Sequence, residues 1–259
     1  MILNEIVAKK RSDLEKGLFR IPFSELEHQA FTRPEPRDFN QALALPGLSV
    51  IAEVKRASPS KGMISRSFDY KKIAATYEKG GSSAISVLTE RHYFLGEDHY
   101  LTEIKEHVEI PVLRKDFIID ERQVLESRAL GADAILLIAA ILEDKTMLRL
   151  YELASRFGLH CLFEAHDEEE VKRIAACGAK IIGINSRNLH TFEVDLGTFE
   201  KLRPLIPSDT LAVAESGISS PLEAGRMKNA GADAVLIGEM LMRSDNPESL
   251  LKTCKEEKQ

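Results

Sequence analysis

The chain has 259 residues, 44% of them hydrophobic, which is enough for one large core or two modest ones. A formal net charge of -6, with no run of Lys and Arg, leaves no electrostatic footprint for nucleic acid. Cys161, Cys177 and Cys254 lie far apart without a CxxC, and no apolar stretch reaches the length of a membrane helix; a cytoplasmic chain with no disulfide framework, zinc knuckle or membrane partner is expected.

Residues 1–47 come first and stand apart from the rest of the chain. ILNEIVAKKRSDLEKG has helical spacing, FSELEHQA is a second short helical candidate, and TRPEPRDFNQALALPG leads toward the first strand. The segment is too small for a core of its own, so it is read as an extension of the same domain that could cap one end of it. From about residue 48 to 259 the chain alternates. Short apolar runs are VIAEVK (50–55), SAISVLT (83–89), PVLRK (111–115), AILLIA (134–139), HCLFEA (160–165), KIIGIN (180–185), LAVAES (211–216) and AVLIG (234–238). Most are too apolar for one-sided sheets and read as parallel strands covered by helices. Helical candidates lie between them, among them DYKKIAATYEKG, DERQVLESRALG, DKTMLRLYELASRFG and SSPLEAGRMKNAG. Several end in Gly, the residue that most readily adopts the left-handed conformation of a helix C-terminus.

A repeat is visible in GADAILLI from Gly131, GAKIIGI from Gly178 and GADAVLIG from Gly231. Each reads as a helix end, a tight turn and a strand start. Eight strand–helix units in this length predict a (β/α)8 TIM barrel with an N-terminal helical extension. A doubly wound open sheet is the alternative, but EVKRASPSKG after the first strand offers no GxGxxG.

Side chains alternate across a strand, so parity sorts the polar residues. Glu53 and Lys55 share a face; Leu113 and Lys115 share one, with Arg114 opposite; Glu164 follows Leu162, Asn185 follows Gly183 and Glu215 follows Val213. All lie at C-terminal strand ends, where barrel active sites are built from several strands at once. A ring of salt bridges where strands surface would imitate this pattern. The mixture of signs can equally hold a lysine charged while another group works as acid or base. Gly217 in ESGI and Gly238 in IGEMLM follow the last two strands and would let backbone N–H groups approach a phosphate. A short helix beginning at Glu239 would add its positive end, with the Glu239 side chain pointing away. Lys61, in the Ser- and Pro-rich SPSKG loop with Ser58, could add positive charge; a plain surface loop would look the same. The histidines are dispersed, with no HExxH, so His92, His99, His107, His160 and His166 suggest no metal site.

EVKRASPSKG, LTERHYFLG, VLRKDFI, LFEAHDEEE, IGINSRNLHTFEVDL, AESGI and LIGEMLM resemble, in order and across nearly the whole chain, the indole-3-glycerol-phosphate synthase family of tryptophan biosynthesis. The resemblance implies a carboxy-lyase that closes a ring on 1-(2-carboxyphenylamino)-1-deoxyribulose 5-phosphate, releasing carbon dioxide and water, with no cofactor or metal. It implies Lys115 as general acid, Glu164 as its partner carboxylate, and Lys55 as the lysine serving phosphate and dehydration. Glu53, Asn185 and Glu215 would orient these groups. Arg187 would meet the anthranilate carboxylate, Phe117 and Leu189 the aromatic ring, and Ser216, Gly217 and Gly238 the phosphate. Phe94 and Ser58 are further expected substrate contacts, and Glu239 is placed at the phosphate site. The chain departs from the family at Leu95, Glu97 and Glu239, where the family often shows Gln, Ser and a small hydroxyl residue. A Schiff-base aldolase, a phosphoribosyl isomerase and a non-catalytic barrel are the competing readings. The sequence does not fix the oligomeric state; a monomer is the working expectation.

Overall fold

The computed structural model describes residues 2–16, 22–65, 67–188 and 191–256. Eight strands form a closed parallel barrel: β1 Ser49–Val54, β2 Ala84–Leu88, β3 Val112–Lys115, β4 Ala134–Ile138, β5 His160–Ala165, β6 Ile181–Asn185, β7 Leu211–Glu215 and β8 Ala234–Ile237. Each strand pairs with its sequence neighbour, and β8 closes onto β1 with Ala52 opposite Ile237. The TIM barrel expected from the repeat is therefore present.

Period-two alternation divides each strand between two cores. Ile51, Leu113, Leu136, Leu162, Val213 and Leu236 fill the barrel interior. Val50, Val87, Ile135, Phe163, Ile182 and Val235 face outward and pack beneath the helices. These include α4 Tyr70–Lys79, α5 Asp98–His107, α6 Glu121–Leu130, α7 Asp144–Arg156, α8 Glu168–Ala176, α9 Gly197–Leu202 and α10 Pro221–Asn229, followed by α11 Glu239–Arg243 and α12 Pro247–Glu256. The GAD repeats have a physical role. The buried Asp133 accepts from the Val112 N–H at 2.7 Å, and Asp233 accepts from the Ala212 N–H at 2.7 Å. Each aspartate ties the start of its own strand to the strand before it. Gly131, Gly178 and Gly231 have φ of 96°, 73° and 90°. DYKKIAATYEKG differs: Gly80 stays right-handed at φ −71°, and the left-handed turn falls on Gly81 at 86°.

The N-terminal segment reaches both ends of the barrel. The first helix, Ile2–Glu15, lies at the C-terminal mouth, where Lys10 pairs with buried Asp116 at 2.7 Å and Asp13 with His92 at 2.8 Å. The second, Phe23–Thr32, packs Leu26 and Ala30 against Leu125 and Phe157 on the barrel's flank. A third helix, Phe39–Leu43, lies inside the lead-in segment and is capped by the Asp38 carboxylate on the Gln41 N–H. Its Phe39 and Leu43 join the interior cluster and close the N-terminal end.

Candidate active site

VLRKDFI separates its three charges by direction. Arg114 points out of the barrel into a buried polar cluster, with Glu126 at 2.8 Å, Asp98 at 3.0 Å and the Thr89 hydroxyl at 3.0 Å. Asp116 is also buried; burial raises its pKa, but Lys10 and Arg114 outweigh this and lower it. Lys115, on the interior face with Leu113, enters the mouth. Its Nζ lies 3.2 Å from Glu164 Oε2 and 3.3 Å from Glu215 Oε2.

Burial alone would discharge Lys115, but Glu215, Glu164 and Glu53 outweigh it and hold the ammonium above the ordinary lysine value. Glu164 is held well below the usual carboxylate range: Lys115, then His166 and Asn185, overcome its burial. The Asn185 amide donates to Glu164 Oε1 at 3.1 Å. Glu215 goes the other way. Burial, with Glu164 and Glu53, outweighs Lys115 and pushes its pKa up to about 7. Its Oε1 has no hydrogen-bond partner and occupies the space beside Gly183, where a Cβ would meet it at 2.0 Å. Only glycine leaves room for that carboxylate. Lys55 and Glu53 form a second ion pair. Gly238 adjoins it, with an added Cβ 3.1 Å from Lys55 Nζ.

These groups open into one cavity of about 1280 Å³. Its apolar lining includes Leu88, Phe94, Phe117, Leu136 and Ile138. The Phe94 and Phe117 ring centroids are 6.2 Å apart. Arg187 and Ser58 also line it; the Arg187 N–H donates to the Asn185 side-chain oxygen at 3.0 Å, and its guanidinium donates to the Phe192 carbonyl at 3.1 Å. Ser216, Gly217, Gly238 and Glu239 lie along the β7 and β8 side. Ser216 has φ 66° and Gly217 φ 82°, a left-handed turn that exposes backbone to the cavity. The Glu239 carboxylate is engaged by Arg243 at 3.0 Å and Lys61 at 3.7 Å. The SPSKG loop is partly ordered as a two-residue hairpin, Ala57–Ser58 on Gly62–Met63. Leu189 lies outside the described residues.

Several groups escape strand parity. His166 lies one residue beyond β5, where alternation no longer predicts direction, yet its Nε2 is 3.3 Å from Glu164 Oε1. Buried Glu90 accepts from the N–H groups of His92, Tyr93 and Phe94, so it shapes the loop that presents Phe94. Ile2, Leu3 and Ile6 border the mouth, as does Phe192. Glu90, His166 and Phe192 lie in the stretches LTERHYFLG, LFEAHDEEE and HTFEVDL, which single out the segments but not the direction of these side chains; Ile2, Leu3 and Ile6 have no such signal.

A family model described as "Indole-3-glycerol phosphate synthase" matches residues 3–254. A protein of that name from Endomicrobium trichonymphae is 48% identical over 258 residues, spanning 99% of this chain and 100% of its own. Another, from Acetivibrio thermocellus, is 50% identical over 248 residues, spanning 94% and 95%. Among solved structures, a 3-hexulose-6-phosphate synthase superposes with a TM-score of 0.62 at 16% identity, covering 80% of this chain and 98% of that one. That likeness concerns the barrel alone.

Proposed function

The chain belongs to the indole-3-glycerol phosphate synthase family, and from that premise we infer how the residues at the barrel mouth divide the reaction. The enzyme is a carboxy-lyase of tryptophan biosynthesis acting on a small phosphorylated substrate. It converts 1-(2-carboxyphenylamino)-1-deoxyribulose 5-phosphate to indole-3-glycerol phosphate with loss of carbon dioxide and water.

The observation that carries the division of roles is Lys115, held cationic between Glu164 and Glu215. As the aromatic carbon attacks the ketose carbonyl, negative charge develops on its oxygen. The Lys115 ammonium stabilises that oxygen and delivers its proton. Breaking the ring-carboxylate bond then restores aromaticity and releases carbon dioxide. The remaining hydroxyl leaves as water with a proton from Lys55, and Glu164 accepts the proton lost from the new ring. Glu53 aligns Lys55, Asn185 aligns Glu164, and Glu215 sets the charge around Lys115. A Schiff-base role would need a neutral amine, which three carboxylates disfavour. Arg187 faces the anthranilate carboxylate, and Phe94 and Phe117 enclose the aromatic ring beside Ser58. The phosphate lies on backbone N–H groups around Ser216, Gly217 and Gly238, near Lys55. Glu239 contributes its N–H only, because its carboxylate faces Arg243.

The same reading treats residues 1–47 and the barrel as one domain, supported by the interior contacts of Phe39 and Leu43. It places the chain in the cytoplasm as a monomer, with its wide cysteine spacing supporting a reducing compartment. Among the described residues, no helix is long and apolar enough to cross a membrane.

Product formation is followed by indole fluorescence. Lys115→Met keeps most of the stem and removes the charge, so kcat should fall ~10²–10⁴-fold, with KM nearly unchanged. A near-normal kcat would make Lys115 a structural ion-pair residue and remove the basis of this assignment.

A further inference from the structure

Glu164 has a neighbour that the division of roles does not use. The His166 ring is largely buried and does not border the cavity, so it touches no substrate. Two carboxylates flank it. Glu170, in the first turn of α8, accepts from the His166 backbone N–H at 2.8 Å and lies 3.1 Å from its Nδ1. On the other side Nε2 lies 3.3 Å from Glu164 Oε1, off the line of a hydrogen bond. The facing groups are Glu164 from β5 and Glu170 from α8. Beyond Glu164 stand Lys115 from β3 and Asn185 from β6.

The tautomer follows from this arrangement. Glu170 is an acceptor, so Nδ1 carries a proton. A neutral ring would then turn the Nε2 lone pair toward Glu164 Oε1, another acceptor. Protonation of Nε2 removes that conflict and sets a cation between two anions. The balance of forces agrees: burial lowers the pKa of His166, but Glu164 and Glu170 outweigh it and raise it to about 10.

We propose that His166 is a positioning residue that keeps Glu164 ionised and oriented as the base while Lys115 is engaged with the substrate, with Glu170 holding the imidazolium in place. Lys115 cannot neutralise Glu164 fully at the moment its charge serves the developing alkoxide. His166 supplies a second positive charge that never meets the substrate. The proposal rests on the reading of Glu164 as the base.

The test is the pH profile of kcat. Its acidic limb reports ionisation of the base in the substrate complex. His166→Gln retains an amide near Nε2 and removes the charge. The limb should move up by about one unit, the low end of what a lost neighbouring cation produces. At pH values below the wild-type limb kcat should therefore be about tenfold lower, while KM changes little. Glu170→Gln, remote from substrate, should move the limb the same way by less, and it decides the matter if His166→Gln does not fold. Limbs that superpose on wild type in the folded variants overturn the proposal. Glu164→Gln separates the two readings. Loss of the limb in Glu164→Gln, with wild-type limbs in both other variants, sinks only the role of His166. A Glu164→Gln enzyme with its limb and kcat intact sinks the assignment of the base itself.

Discussion

Glu215 carries the largest tension between charge and burial at the mouth. Its carboxyl is raised to about 7, against ~4.3 for an exposed glutamate. Between those values the folded chain keeps a proton that the unfolded chain has released. The stability this residue contributes is therefore full at low pH and is lost as pH rises through that window. Glu215→Gln is neutral throughout and escapes the loss. Its melting temperature relative to wild type should climb by at least about 2 °C between pH 5 and pH 8, read from thermal unfolding; a constant difference would show that Glu215 ionises as an ordinary carboxylate. Parity along the strands is enough to gather Lys115, Glu164, Glu215, Glu53 and Asn185 from sequence. It cannot tell Glu215 from Glu164, because both lie equally close to Lys115 and their opposite shifts come from their other neighbours: His166 and Asn185 beside Glu164, the carboxylates of Glu164 and Glu53 beside Glu215. His166 is invisible for a different reason: a residue past the end of its strand has no face to be assigned to.

At the scale of elements, the eight apolar runs match the barrel strands to within a residue or two at each end. A strand buried on both faces writes itself into sequence as a continuous apolar run. The small elements do not show. Two residues of hairpin have too few side chains to display a period, and Phe39–Leu43 is concealed in a proline-bearing stretch although Asp38 is a recognisable cap. Backbone proximity is equally hidden. A Cβ on Gly238 would stand 2.3 Å from Glu53 Oε2 and 3.1 Å from Lys55 Nζ, so Gly238→Ala must displace the Glu53 carboxylate and with it the place where Lys55 is held. The KM should rise about tenfold or more, as expected for loss of one charge-assisted contact, and inhibition by inorganic phosphate should weaken in parallel. Unchanged KM and phosphate inhibition would place the anion elsewhere.

For the whole molecule, the N-terminal segment joins two unlike tasks. The first helix borders the mouth through Ile2, Leu3 and Ile6 and is fastened by Lys10 to Asp116. The third fills the barrel interior with Phe39 and Leu43. Sequence pattern indicates an extension but not its route, because both ends of a barrel are apolar targets. Truncation should separate the tasks. Removing residues 1–20 should leave a cooperative thermal transition and raise KM. Removing residues 1–47 also strips the buried Leu26, Phe39 and Leu43 side chains, worth about 2–5 kcal/mol each, from a fold whose total stability is about 5–15 kcal/mol. That chain should lose its cooperative transition; a sharp melt close to that of the full chain would show that the interior closes without them.

The filled barrel interior, with Phe39 and Leu43 at its base, also governs traffic. A barrel stoppered at its base is a cul-de-sac, and everything that enters must back out through the doorway it came in by. Indole-3-glycerol phosphate therefore leaves past the same rim that admits its precursor, the two cannot pass one another, and each turnover must wait for the doorway to clear.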